Sequence, residues 1–156
     1  GEHDLVRSVL EEEGLELDFW QIAMRPGKPL MFGMIGGTPV MGLPGNPVST
    51  IVCAMIFLKP ALQTMLGVKP VESRTISARL ATSLSRNDHR QDYLRAKISY
   101  DVEGQSLVTP FSKQDSSMLA HLAQADCLIV RPPHASALET GKMVEIIPID
   151  DGLVRI

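Results

Sequence analysis

The sequence predicts an α/β segment followed by a small all-β unit, a barrel or a sandwich, with a boundary near residue 71. Three observations carry this. Helix-like and strand-like apolar patterns mix over residues 1–70, and a long apolar helix closes them. Residues 68–72 contain Lys69-Pro70 and read as a linker. Beyond it come short alternating strands, separated at regular spacing by polar turns.

The elements follow in order. Leu5, Val6, Val9 and Leu10 recur at helical spacing, Glu11 to Glu13 fall on the polar side, and Gly14 is the stop. Asp4 stands where an N-cap belongs. Residues 15–24 read as a strand with Leu15, Leu17 and Phe19 alternating; Trp20 breaks the rhythm and is read as a packing residue. Residues 29–35 and 38–43 are two apolar strands around Gly36-Gly37, a two-residue hairpin signal. Residues 46–66 form a helix with a broad apolar stripe, kinked near residues 56–59 by Pro60 and ended by Gly67. Its methionines are core fillers.

In the second unit, residues 74–84 and 92–101 alternate as strands around a polar turn at 85–91. Glu103-Gly104-Gln105 turns into a strand at 106–110. Residues 116–125 form a short helix that Ser116 is placed to cap. Residues 127–131 and 142–149 are the last strands, with a turn at 139–142.

Composition removes several functions. The 156 residues carry a net charge of −3 and only 4% aromatics, which argues against a general nucleic-acid surface or a base-stacking platform. Cys53 and Cys127 sit in apolar runs and His3, His89, His121 and His134 are scattered, so no structural zinc is expected. Two buried reduced thiols suit a cytoplasmic protein. No uninterrupted apolar run of membrane-spanning length and no signal peptide is visible.

Residues 24–49 hold the one stretch with chemistry of its own. Arg25 and Lys28 sit three apart across Pro26-Gly27. Leu43-Pro44-Gly45-Asn46-Pro47 then leads from a strand into a helix, with Asn46 as N-cap and Pro47 at the first helical position. Amides at Gly45 and after Asn46, a hydroxyl at Ser49 and two cations describe an oxyanion site; the same residues also make ordinary turns and an ordinary helix start. The hairpin between these two stretches brings its outer ends together and makes them one site. The glycine spacing fits neither a Walker loop nor a dinucleotide fingerprint.

Residues 23–29, Ala-Met-Arg-Pro-Gly-Lys-Pro, followed by residues 42–49, Gly-Leu-Pro-Gly-Asn-Pro-Val-Ser, resemble the MoeA/gephyrin E-domain family of molybdopterin molybdenumtransferases. Gly1-Glu2-His3-Asp4 resembles the end of the family's Ser-x-Gly-x-x-Asp motif, and residues 90–95 and 116–119 resemble its C-terminal signatures. The resemblance implies the C-terminal part of a MogA-like molybdopterin-binding α/β domain over residues 1–70, a β-barrel over 71–156, and a large N-terminal part outside this chain. It implies insertion of molybdate into adenylylated molybdopterin with release of AMP, assisted by a divalent metal, usually magnesium. Asp4 would stand near that metal, and Asp4 and Lys28 would be catalytic. Arg25, Lys28, Pro44, Gly45, Asn46, Pro47, Ser49, Arg95, Ser116 and Ser117 would bind substrate. Caps remain the plain roles of Asp4 and Ser116, and a strand-edge charge that of Arg95. The family works as a homodimer with its cleft between subunits, so Arg95 would serve a partner chain's site, and the molybdopterin adenylyltransferase is a further partner. Arg25 stands where many members have lysine. A scaffold or receptor-binding module of the gephyrin type is the alternative, and the segment by itself is expected to be inactive.

Overall fold

The computed structural model describes residues 5–68, 75–115 and 119–149 of the chain. Asp4, most of the expected linker, Ser116 and Ser117 lie outside the described residues.

Helix α1 spans Leu5–Glu12. It ends as its sequence predicts: Gly14 N–H donates to Glu11 C=O (3.1 Å) and Leu15 N–H to Leu10 C=O (2.8 Å), the paired bonds that satisfy a helix's last carbonyls. The strand expected over 15–24 is cut in two. Its first piece, β1, is Glu16–Trp20; Gln21 then takes φ 73° and turns the chain away. The second piece, β2, is only Met24–Arg25 and pairs in parallel with the strand Gln91–Tyr100. Backbone bonds from Gln21 N–H to Leu30 C=O (3.0 Å) and from Ile22 N–H to Lys28 C=O (2.9 Å) explain the cut, because they close residues 21–30 into a pinned loop.

Strands β3 (Met31–Ile35) and β4 (Thr38–Gly42) form the expected hairpin. Gly36 and Gly37 have φ of 53° and 82°, the two left-handed positions that match the twist of the flanking strands. The three strands order β1-β3-β4. The register of β1 slips between Leu17 and Phe19, and Phe19 and Trp20 are exposed rather than in the core.

The long helix is three segments: α2 (Pro47–Cys53), a π turn (Ala54–Leu58) and α3 (Lys59–Met65). Pro60 lacks an N–H and its ring crowds the carbonyl four residues back. The chain widens by one residue just before it, and Lys59 N–H donates to Ala54 C=O, five back. By length and composition this helix could cross a bilayer, with mean hydropathy 1.5. Here its Val48, Val52 and Cys53 are fully buried against the rest of the chain.

The remaining elements are β5 (Ile76–Leu80), β6 (Gln91–Tyr100), β7 (Ser106–Pro110), α4 (Leu119–Gln124), β8 (Cys127–Arg131) and β9 (Met143–Pro148). Strand order β6-β7-β5-β9-β8 closes when β8 pairs back onto β6, so the second unit is a five-stranded barrel and not a sandwich. The expected strand over 74–84 stops at Leu80, and Leu84 makes an isolated bridge to Leu138.

Two cores result. Ala78, Leu80, Ala96, Val108, Cys127, Ile129, Val144 and Ile146 fill the barrel. Tyr93 and Leu128 point outward from the same strands and pack with Met24, Leu30, Val52 and Cys53. Strand β8 is therefore covered on both faces, which accounts for its continuous apolar run. Each fully buried Leu or Val in this shared cluster contributes about 1.5–3 kcal/mol.

Candidate oxyanion site

Residues 24–30 are placed from both sides of the molecule. β2 sets Arg25 opposite Asp92 in the parallel ladder. Arg25 Nη2 donates to Asp92 Oδ2, and Nη1 lies 3.5 Å from Asp88 Oδ2. Asp88 is itself held by Arg90, whose Nη2 is 2.6 Å from Oδ2 and whose backbone N–H donates to Oδ1 (2.8 Å). The hydrogen bond from the Arg90 side chain keeps the Asp88 carboxyl well below the usual range. The planar fork of Arg25 thus holds two carboxylate oxygens, where the motif suggests oxyanion oxygens. Lys28 is exposed and makes no ion pair among the described residues. The uncompensated positive charge of the bend belongs to Lys28.

The bend docks on helix α2 at Cys53, whose Sγ lies 3.8 Å from Gly27 C=O. Cys53 is six residues past Pro47, about 9 Å along the helix. The hairpin brings its outer ends together: Met31 pairs with Gly42, and Leu30 and Leu43 join one cluster. Lys28 and Pro44 leave the sheet at the same end, while the bend itself touches α2 two turns from its start.

A methyl group added at Gly27, where φ is 120°, would come within 2.6 Å of Cys53 Sγ and 2.7 Å of Met24 Cε. Gly27→Ala should therefore push the bend off α2, at a cost of about 1–3 kcal/mol from overpacking alone. A lower melting temperature in calorimetry checks this.

Asn46 caps α2 as expected. Its Oδ1 accepts from Val48 N–H (3.1 Å) and Ser49 N–H (3.5 Å), and Thr50 Oγ1 donates to Pro44 C=O and to Asn46 C=O (2.9 Å). The amides expected after Asn46 for an anion are taken by the cap, and Pro47 has none. Gly45, which is exposed, keeps its amide clear of any partner among the described residues. Pro44 is buried, and Ser49 is 6% exposed with its side chain in the interior.

Arg95 is no strand-edge charge: it is 1% exposed. It shares a face of β6 with Tyr93, two residues before it, and Tyr93 packs with Val52 and Cys53 of α2. Arg95 N–H and Nε donate to Gln114 Oε1 (3.0 and 3.3 Å). Burial pulls its pKa down from the ordinary guanidinium value, and Asp115 opposes that shift. Sequence reasoning missed Asp88, Asp92 and Gln114. Asp92 lay in view inside the stretch 90–95, but only the β2–β6 register reveals its partner.

Asp4, the expected magnesium ligand, lies outside the described residues. Among the described residues no group of three or more His, Cys, Asp or Glu side chains could hold a metal ion. They do not form a magnesium site by themselves, and the chemistry assigned to them is that of cations and amides.

Both cysteines are free and buried. Burial pushes the Cys53 thiol up to about 11 and the Cys127 thiol to about 12, from an ordinary 9.0. A raised thiol favours the folded, protonated state. This contribution is complete below the unfolded value and is lost as pH rises through the folded one. Stability should fall between pH 9.0 and about 11–12, and a Cys53→Ala variant should lose less of it in urea unfolding over that window.

Residues 1–64 match a probable molybdopterin binding domain, and residues 77–149 match the MoeA C-terminal region (domain IV). Molybdopterin molybdenumtransferase 1 of Mycobacterium tuberculosis is 36% identical over 149 residues, covering 92% of this chain and 35% of the relative. Gephyrin of Dictyostelium discoideum is 33% identical, with 96% and 24% covered. The crystal structure of a molybdopterin biosynthesis MoeA protein from Pyrococcus horikosii superposes with a TM-score of 0.74 at 33% identity, covering 93% of this chain and 34% of that one. The chain thus spans about a third or less of the length of these relatives. An α/β segment joined to a five-stranded barrel, the Pro-Gly-Lys-Pro bend and these likenesses agree: the chain belongs to the MoeA/gephyrin family, of which it carries a segment matching the probable molybdopterin binding domain and the C-terminal region.

Proposed function

We propose that the protein acts in molybdenum cofactor biosynthesis as the C-terminal portion of a molybdopterin molybdenumtransferase, which inserts molybdate into adenylylated molybdopterin with release of AMP. The observation that carries this is Lys28: an exposed cation without an ion-pair partner among the described residues, at the sheet end where the Pro44–Pro47 loop also leaves. Its ammonium supplies a compact charge for an oxyanion, and the Gly45 amide, on the other flank of the hairpin, supplies a fixed dipole. The names of the relatives from Mycobacterium tuberculosis and Haemophilus influenzae support the reaction class.

Within this reading Arg25, Asn46, Pro47 and Ser49 shape the pocket wall, and Arg95, Ser116 and Ser117 line its molybdate end. Asp4 would be the carboxylate that helps hold a magnesium ion, which would supply positive charge to the substrate's phosphate. The working form is a cytoplasmic homodimer, supplied with adenylylated molybdopterin by an adenylyltransferase. The gephyrin-type scaffold alternative rests on one relative's name and has no observation of its own. Calorimetric titration of molybdate into the full-length protein, wild type against Lys28→Ala, is the test. Equal affinities would remove the reading.

A further inference from the structure

We propose that Gln114 is a positioning residue of the oxyanion site, holding the Arg95 guanidinium and the turn that leaves β7 at Phe111 in one fixed relation. This rests on the reading of Arg95 as an oxyanion ligand and adds the residue that aims it.

Strand β7 pairs with β6 from Tyr100 back to Ala96, then ends at Pro110. Its ladder stops one residue short of Arg95. Phe111 N–H makes one more bond, to Arg95 C=O (3.0 Å). The Gln114 side chain continues the pairing in place of a strand. Its Nε2 donates to Arg95 C=O (3.0 Å) and Phe111 C=O (2.9 Å). Its Oε1 accepts from Arg95 N–H (3.0 Å) and from Arg95 Nε (3.3 Å). An amide has two donor hydrogens and two acceptor lone pairs, so Gln114 is saturated.

The bond to Nε makes this more than a strand repair. It fixes the plane of a guanidinium that is 1% exposed, where a buried cation cannot choose its direction freely. Asp115, the next residue along, also bears on the charge of Arg95. One amide therefore sets both the cation and the chain where it leaves β7. Among the residue types only glutamine does this at that reach. Glutamate accepts but cannot donate to the two carbonyls, and asparagine is one methylene short.

The test titrates molybdate into the full-length protein as wild type, Gln114→Ala, Gln114→Glu, Arg95→Met and Gln114→Ala with Arg95→Met, each with a thermal melt. Gln114→Ala should weaken molybdate about tenfold, the scale of a lost hydrogen bond to a charged group. Gln114→Glu keeps the side-chain length, places a carboxylate on the guanidinium, and should also bind molybdate more weakly, with the thermal melt reading any loss from the two carbonyls it cannot serve. In the Arg95→Met background, Gln114→Ala should cost less than about twofold more, because its effect runs through Arg95. Wild-type affinity in either Gln114 variant overturns the proposal. So does an equal loss with and without Arg95, which is what a purely structural role gives. Wild-type affinity in Arg95→Met alone removes Arg95 as a ligand, a separate failure visible in a single variant.

Discussion

Lys28→Ala is expected to lower molybdate affinity by about 1.5–3 kcal/mol, the worth of a charge-assisted contact, or roughly ten- to a hundredfold. Melting should hardly change, because Lys28 is exposed and pairs with no acid among the described residues; surface changes of this kind stay within about 0.5 kcal/mol. The two readouts together separate a ligand from a structural cation. Raising salt from low to physiological strength should weaken wild-type binding more than that of the variant, since one screened charge is gone. Calorimetry in both buffers gives the four affinities.

Arg25→Met is expected to do the reverse: a large loss of stability. Asp92 is 3% exposed, and its Oδ1 already lacks a hydrogen-bond partner among the described residues. Removing Arg25 strands that carboxylate next to Arg131, whose three bonds go to the carbonyls of Ser85, Ala135 and Ser136. Breaking a buried pair costs about 3–5 kcal/mol. The Arg25 side chain is 44% exposed, so solvent screening brings the expected figure to about 2–3 kcal/mol. At this chain length that lowers the melting temperature by roughly 4–12 °C. Adding Asp92→Asn should restore much of it, because the orphaned charge goes with it. A double variant as unstable as the sum of the singles would show that the pair does not couple.

These two cations look alike in the sequence, and their difference shows what periodicity can and cannot reveal. Arg25 and Lys28 flank one Pro-Gly turn, and either one reads as an anion ligand. Their fates diverge because β2 carries Arg25 into the barrel's ladder beside Asp92, 67 residues away. No local pattern encodes that pairing. The elements that were legible are those whose cause is local: the Gly36-Gly37 hairpin, the Asn46 cap, the helix end at Gly14 and the alternation of β6. The π turn was half legible, since Pro60 announces a distortion but not its form. Barrel and sandwich share one alternation, and only the β8–β6 closure separates them. Gln114 gave no signal, because a polar residue after a strand is the commonest thing in a loop.

The two-residue strand β2 has a mechanical consequence. It welds the bend to the barrel, and the apolar contact of Met24 and Cys53 with Tyr93 and Leu128 backs the weld from behind. Arg25 lies across from Asp92, and Arg95 follows three residues later on the same strand, about 10 Å on. The gap between the bend and Arg95 is therefore a fixed gauge. Any opening that admits a bulky ligand must pivot somewhere other than between these two units.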